Sequence, residues 1–295
     1  MKNLFILTVA LLFIGQCTGK VGAKRGAARQ VISLSPNITE IIYALHQQSH
    51  LLAVTDFCDY PPSARTKPHI GGLLNPNIER IFALDPNFLI GTAAHSELAE
   101  QLLHEGLHTK IVNNDELSDV FASIDSIGKW LDCPASADSL KRQMKDSLAY
   151  YQRLSRSLKL KPPGAMLVIG RQPGSIRNIT VVGSNNFITS LWEEMGGRNA
   201  FNDLTVRYAQ VGHEAILARQ PDLIIEFRFK EPWDRQKNEH NILEWQHFSG
   251  LRAAFNKQLY VLTADYTLIP GPRVYLLARD FYRILEKYEE RSEKN

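Results

Sequence analysis

Cysteine is scarce in this chain of 295 residues: Cys17, Cys58 and Cys133 are its three, and no two of them form a Cys-x-x-Cys pair. A disulfide-dense scaffold and a cysteine-built zinc site are both excluded. An excess of one charge is missing as well, since 34 basic and 31 acidic residues leave a formal charge of +3 dispersed along the chain. That argues against an electrostatic face for nucleic acid. Beyond Ile14 no apolar run is long enough to cross a bilayer. The sequence also lacks a Gly-x-Ser-x-Gly elbow and a phosphate-binding P-loop, marks of many hydrolases and nucleotide-using enzymes.

What the chain does have is a repeat. Glu79 to Ile90 (ERIFALDPNFLI) returns as Glu214 to Ile225 (EAILARQPDLII), with Glu, Ile, Ala, Pro and the last Ile in register. Each copy reads as a short helix, stopped by a proline that lacks an N–H, feeding a buried strand. Two such copies imply two similar α/β lobes, and clefts between lobes are preferred sites for small molecules.

The first residues read as an export signal. Lys2 precedes the apolar run Leu4 to Ile14, and Val21-Gly22-Ala23 offers small residues for cleavage, so residues 1–23 form the signal and the mature chain starts near Lys24. The alternative is lipid attachment at Cys17. The expected location is thus the periplasm, or the membrane surface if Cys17 is processed. In an oxidising compartment Cys58 and Cys133 form one disulfide or remain as two buried thiols.

Periodicity sets the rest. Val31 to Leu34 reads as a strand, Ser35 as a helix cap, and Pro36 as a first helical residue, followed by a buried face of Ile38, Ile41, Ile42 and Leu45. Strands and helices then alternate, which predicts a parallel sheet covered on both faces. The first lobe spans 24–134. Residues 135–161 are polar, with Leu140, Met144, Leu148, Tyr151, Leu154 and Leu158 at helical intervals until Pro162-Pro163, and predict one long connecting helix. The second lobe spans 162–295. His95, His104 and His108 cluster loosely and are expected to be solvated, as are the scattered His240 and His247.

Several segments together resemble the substrate-binding proteins of ABC importers for cobalamin, iron-siderophores and haem. They are VISLSPNITE (31–40), CDYPP (58–62), NIERI (77–81), GGRNAF (196–201) and PGPR (270–273). The cobalamin branch is the nearest. The resemblance implies two Rossmann-like lobes joined by a rigid helix, with a ligand in the cleft. It implies no enzymatic activity and no cofactor, and as partners the ABC permease and ATPase complex. It places Glu79 and Glu214 on permease arginines, a fit that suits the forked guanidinium. It places Phe57, Leu73, Thr180, Tyr208 and Tyr266, with the loop up to Ile269, against ligand. Leu73 and Thr180 stand where cobalamin binders carry large aromatic rings. The alternatives are a siderophore or haem binder of the same class, with Tyr208 or Tyr266 reaching iron, and a secreted α/β enzyme.

Overall fold

The computed structural model describes residues 29–172, 174–229, 242–246 and 248–292. The proposed export segment with Cys17, together with His240 and His247, lies outside them. In the first lobe, β1 (Val31–Ser33), β2 (Leu51–Val54), β3 (Phe88–Thr92) and β4 (Thr109–Val112) form a four-stranded parallel sheet in the order β2-β1-β3-β4. Helices α1 (Pro36–Ala44), α2 (Ile78–Ala83), α3 (Ser96–His104) and α4 (Leu117–Trp130) make the crossovers and cover. In the second lobe, β5 (Gly164–Gly170), β6 (Ile179–Val182), β8 (Tyr208–Val211), β9 (Leu223–Phe227) and β10 (Leu259–Leu262) lie in the order β10-β9-β5-β6-β8. The two-residue β7 (Arg198–Asn199), which follows helix α6 (Phe187–Glu194), pairs with β5.

This second sheet is mixed, where the alternation of elements predicted a parallel one. β6 runs antiparallel to β5, and β8 antiparallel to β6. The reason lies in the connection. Only residues 171–178 separate β5 from β6, whereas a parallel return needs a crossover of a dozen or more residues.

Both copies of the repeat fold alike. α2 leads into β3, which lies beside β1; α7 (His213–Arg219) leads into β9, which lies beside β5. In each, the residue before the proline is left-handed, Asp85 at φ 47° and Gln220 at φ 42°. A proline disfavours right-handed helix at the residue before it, so the helix must stop there.

Helix α5 (Pro134–Ser157) connects the lobes. It starts on Pro134, where no N–H is needed, and ends four residues earlier than its apolar spacing predicted, because Lys159 N–H leaves the helix to donate to Glu289 Oε1 at 2.6 Å. α4 crosses it closely at Gly128, where a Cβ would come within 2.6 Å of Ala137 Cβ. The C-terminal helix α9 (Val274–Ser292), which follows the short α8 (Arg252–Phe255), lies along α5, with the rings of Tyr151 and Tyr282 6.4 Å apart. One apolar cluster therefore runs from Val31 and Ile41 through Ile124, Met144 and Leu148 to Leu167, Trp192 and Phe281. The lobes share a core through α4, α5 and α9, which opposes wide hinge motion.

A cleft between the lobes as candidate functional site

Parallel α/β sheets present their ligand sites outside the carboxyl ends of the strands. In this protein those ends meet. A cavity of about 410 Å³ is lined by Ser35, Pro36 and Asn37 after β1, Phe57 and Leu73 after β2, and Asn114 after β4. Phe229 after β9 and Leu268, Ile269 and Pro270 after β10 form the facing wall. Its walls are apolar, with a few amide and hydroxyl groups, the composition usual for small-molecule sites. Phe57 is 45 % exposed and Phe229 36 %, far from the buried state expected of ordinary core phenylalanines.

The lobes are locked beside this cavity by one arginine. Arg273 Nε and Nη2 donate to Glu40 Oε2 and Oε1 at 2.9 and 2.6 Å, and Nη1 and Nη2 to Asp265 Oδ1 and Oδ2 at 2.9 and 3.0 Å. Tyr60 stacks its ring 3.7 Å from the guanidinium carbon. Glu40, Tyr60 and Arg273 come from three separate motifs, far apart in sequence, and meet at one point. Burial pushes the Glu40 carboxyl up from its ordinary value while Arg273 pulls it back, and the two carboxylates hold Arg273 firmly charged. Gly271 packs beside this group, where a Cβ would stand at ordinary contact distance, 3.4 Å from Glu40 Oε2 and 3.7 Å from Asn37 Cα. A second tie joins Arg207 to Asp115, next to the cavity residue Asn114.

Behind Arg273 and Glu40 lies a larger open groove of about 720 Å³, lined by Tyr43, Tyr60, Leu140, Met144 and Tyr275 among others. It is not at the strand ends. Size alone does not make it the site.

Of the residues singled out from sequence, the structure brings Phe57 and Leu73 together on the cavity wall. Tyr208 opens β8, is 46 % exposed, and follows Arg207, which places it at the flank of the opening rather than on the wall. Thr180 sits on β6 opposite Gln210, half-buried and away from the cavity. Tyr266 turns its hydroxyl inward, donating to Asp280 Oδ2 at 2.7 Å and accepting from Arg279 Nη2 at 2.9 Å. Burial first, then Asp280, pushes its phenol up to about 12, so it is held neutral. Only its loop neighbours Leu268 and Ile269 reach the cavity.

Glu79 and Glu214 are both exposed, each the second residue of its helix, α2 or α7, at the same place in the two repeat copies. Neither forms an ion pair among the described residues. The disulfide pairing of Cys58 with Cys133 is not present: both thiols are free. Cys58 is buried between Thr39 Oγ1 and Thr55 Oγ1 at 3.2 and 3.3 Å, while Cys133 occupies the N-cap position of α5. His95 is buried rather than solvated. Thr92 N–H donates to its Nδ1 at 3.0 Å, so Nε2 carries the proton and donates to the Leu73 carbonyl at 3.0 Å, fixing the cavity loop. His104 and His108 stand at the His-Glu-x-x-His spacing, but α3 ends at His104 and Gly106 is left-handed, so they share no helix face. No cluster of metal-ligating side chains occurs among the described residues.

Sequence reasoning missed Phe229, Asn114 and the Glu40–Arg273 pair. It also missed the buried group in which Glu226 accepts from Arg171 Nε at 2.8 Å and Trp245 Nε1 at 2.9 Å and pairs with Arg228 at 2.6 Å. Strand-end position was the available signal for Phe229, two residues past β9.

Two facing α/β lobes on a rigid helix, with a cleft at the strand ends, define a binding protein of the cluster that holds ligand between lobes. The sequence matches the periplasmic binding protein family over residues 31–266, and the chain belongs to that family. It is 27 % identical over 250 residues to the vitamin B12-binding protein of Vibrio parahaemolyticus, covering 83 % of this chain and 84 % of that one. Among solved structures, the periplasmic vitamin B12-binding protein of Vibrio cholerae matches with a TM-score of 0.75 and 25 % identity over 89 % of this chain and 98 % of that one. A periplasmic haem-binding protein from Roseiflexus sp. RS-1 shares the fold, with a TM-score of 0.74 and 23 % identity over 89 % of this chain and 100 % of that one.

Proposed function

We propose that the protein is exported and captures cobalamin or a related metal chelate in the interlobe cleft, then delivers it to an ABC permease and its ATPase. The observation that carries this reading is the cavity itself, walled by Phe57 and Leu73 from one lobe and by Phe229, Leu268 and Ile269 from the other. Flat apolar and aromatic walls suit the face and edge of a macrocycle. A corrin with its side groups exceeds 410 Å³, so one edge is enclosed and the remainder lies in the open cleft. The relation to vitamin B12-binding proteins supports the corrinoid, and of the two positions where large rings are expected only Leu73 lines the cavity.

Haem is the second reading. It needs an axial Tyr or His, and with Tyr266 bound to Asp280 the tyrosine at the flank of the cleft is Tyr208. Glu79 and Glu214, exposed at equivalent places on the two lobes, serve as the permease contacts. Absorbance difference spectra of the purified mature protein with cyanocobalamin, haemin and a ferric hydroxamate test the reading. Saturable one-to-one binding of cyanocobalamin is expected; saturation by haemin alone selects the second reading, and no binding of any chelate overturns both.

A further inference from the structure

We infer that Asn37 selects the ligand by donating a hydrogen bond from its side-chain amide to an oxygen acceptor at the ligand's periphery. The inference rests on the reading of the cleft as the capture site. Asn37 lines the cavity in the first turn of the nine-residue helix α1, and only 2 % of its surface is exposed. One end of its amide is held, since Ser35 Oγ, on the same wall, donates to Oδ1 at 2.6 Å. The other end is not. Nδ2 is buried and has no hydrogen-bond partner. A buried donor left unmade costs stability, so such a group is kept where something outside the chain completes it.

The surroundings point the same way. Ser35 supplies no side-chain cap to α1, Pro36 has no N–H, and the Asn37 and Ile38 N–H groups find no acceptor among the described residues. Three donors without an acceptor among the described residues therefore lie in the first turn of α1, at a helix end that carries partial positive charge. Asn114 adds a second amide to the cavity wall. The chemistry that fits is an oxygen acceptor, either the carbonyl of a peripheral amide, as on a corrin, or a carboxylate, as on a porphyrin.

Two variants test this. Asn37→Asp keeps the acceptor for Ser35 and replaces the donor by an acceptor; Asn37→Leu keeps the branched shape, with bulkier methyl groups, and removes both. Cyanocobalamin and haemin are titrated against each, and urea unfolding of the ligand-free proteins is followed in parallel. For a neutral carbonyl, both variants should weaken binding by about 5- to 10-fold. For a carboxylate, Asn37→Asp should weaken it by about 100-fold or more and Asn37→Leu by about 10-fold, because like charges then face each other. Each ligand-free variant should keep a single cooperative urea transition, so that a loss of affinity is read on folded protein. Unchanged affinity in both variants overturns the inference and leaves the capture reading standing. Failure of the wild type to bind either chelate sinks both.

Discussion

Replacing Arg273 by Met strands Glu40. Glu40 is 3 % exposed and loses both of its hydrogen bonds to the guanidinium, while the exposed edge of Asp265 finds water. Breaking a buried pair from one side costs about 3 to 5 kcal/mol, because the remaining charge has no compensation. The second replacement, Glu40→Leu in the same chain, removes that stranded charge, so the double variant should recover most of the loss and leave about 1 to 2 kcal/mol. Urea unfolding followed by tryptophan fluorescence reads both, since Trp192 and Trp245 are buried. Acid gives a further check. Burial already raises Glu40 above the carboxylate value of 4.5, and without Arg273 it rises further. A group raised on folding stabilises while protonated and loses that contribution as pH rises through its folded value. The deficit of Arg273→Met should therefore narrow as pH falls toward 4.5 and widen toward neutrality. A single variant that costs under about 1 kcal/mol, or a double variant as unstable as the two losses added, refutes the assignment of Arg273 as the interlobe clamp.

Two further outcomes follow from the surface and the thiols. Reversing Glu79 and Glu214 together to Lys should leave ligand affinity unchanged and abolish ligand-dependent ATPase stimulation in reconstituted membranes, each single reversal giving a partial loss; full stimulation by the double variant removes both from the docking surface. In the folded, non-reduced protein an alkylating reagent should label Cys133, which is partly exposed, while Cys58 reacts only on unfolding, because burial raises its thiol; a mass lower by two hydrogens, marking a disulfide, contradicts the free pair.

Local chemistry was legible in the sequence, and long-range chemistry was not. The helix, proline and strand of each repeat copy follow from apolar spacing and from what proline forbids, so Ile78–Ala83 with Phe88–Thr92 and His213–Arg219 with Leu223–Phe227 could be read directly. The connecting helix was visible through Met144 and Leu148. The sense of β6 was set by a loop length that periodicity ignores. Glu40 and Arg273 both stood in motifs that were noticed, but no local rule joins residues 233 apart. The choice between a disulfide and two thiols stayed open for the same reason: pairing depends on Cα proximity, and Thr39 and Thr55 hold Cys58 as a free thiol. For the site, Phe57 and Leu73 were placed by resemblance, whereas Tyr266 was diverted by Asp280, a partner in another helix.

Capture between the lobes is tested most directly by isothermal titration of cyanocobalamin into wild type, Phe57→Ala, Phe229→Ala and Tyr275→Ala. The first two variants remove one wall each from opposite lobes, and the third alters the larger groove behind Arg273. Loss of a buried aromatic contact should weaken binding by about 1 to 3 kcal/mol, roughly 5- to 150-fold, in each phenylalanine variant, with Tyr275→Ala unchanged. Wild-type affinity in both phenylalanine variants, with binding lost in Tyr275→Ala, contradicts the account and moves the ligand to the other side of the clamp.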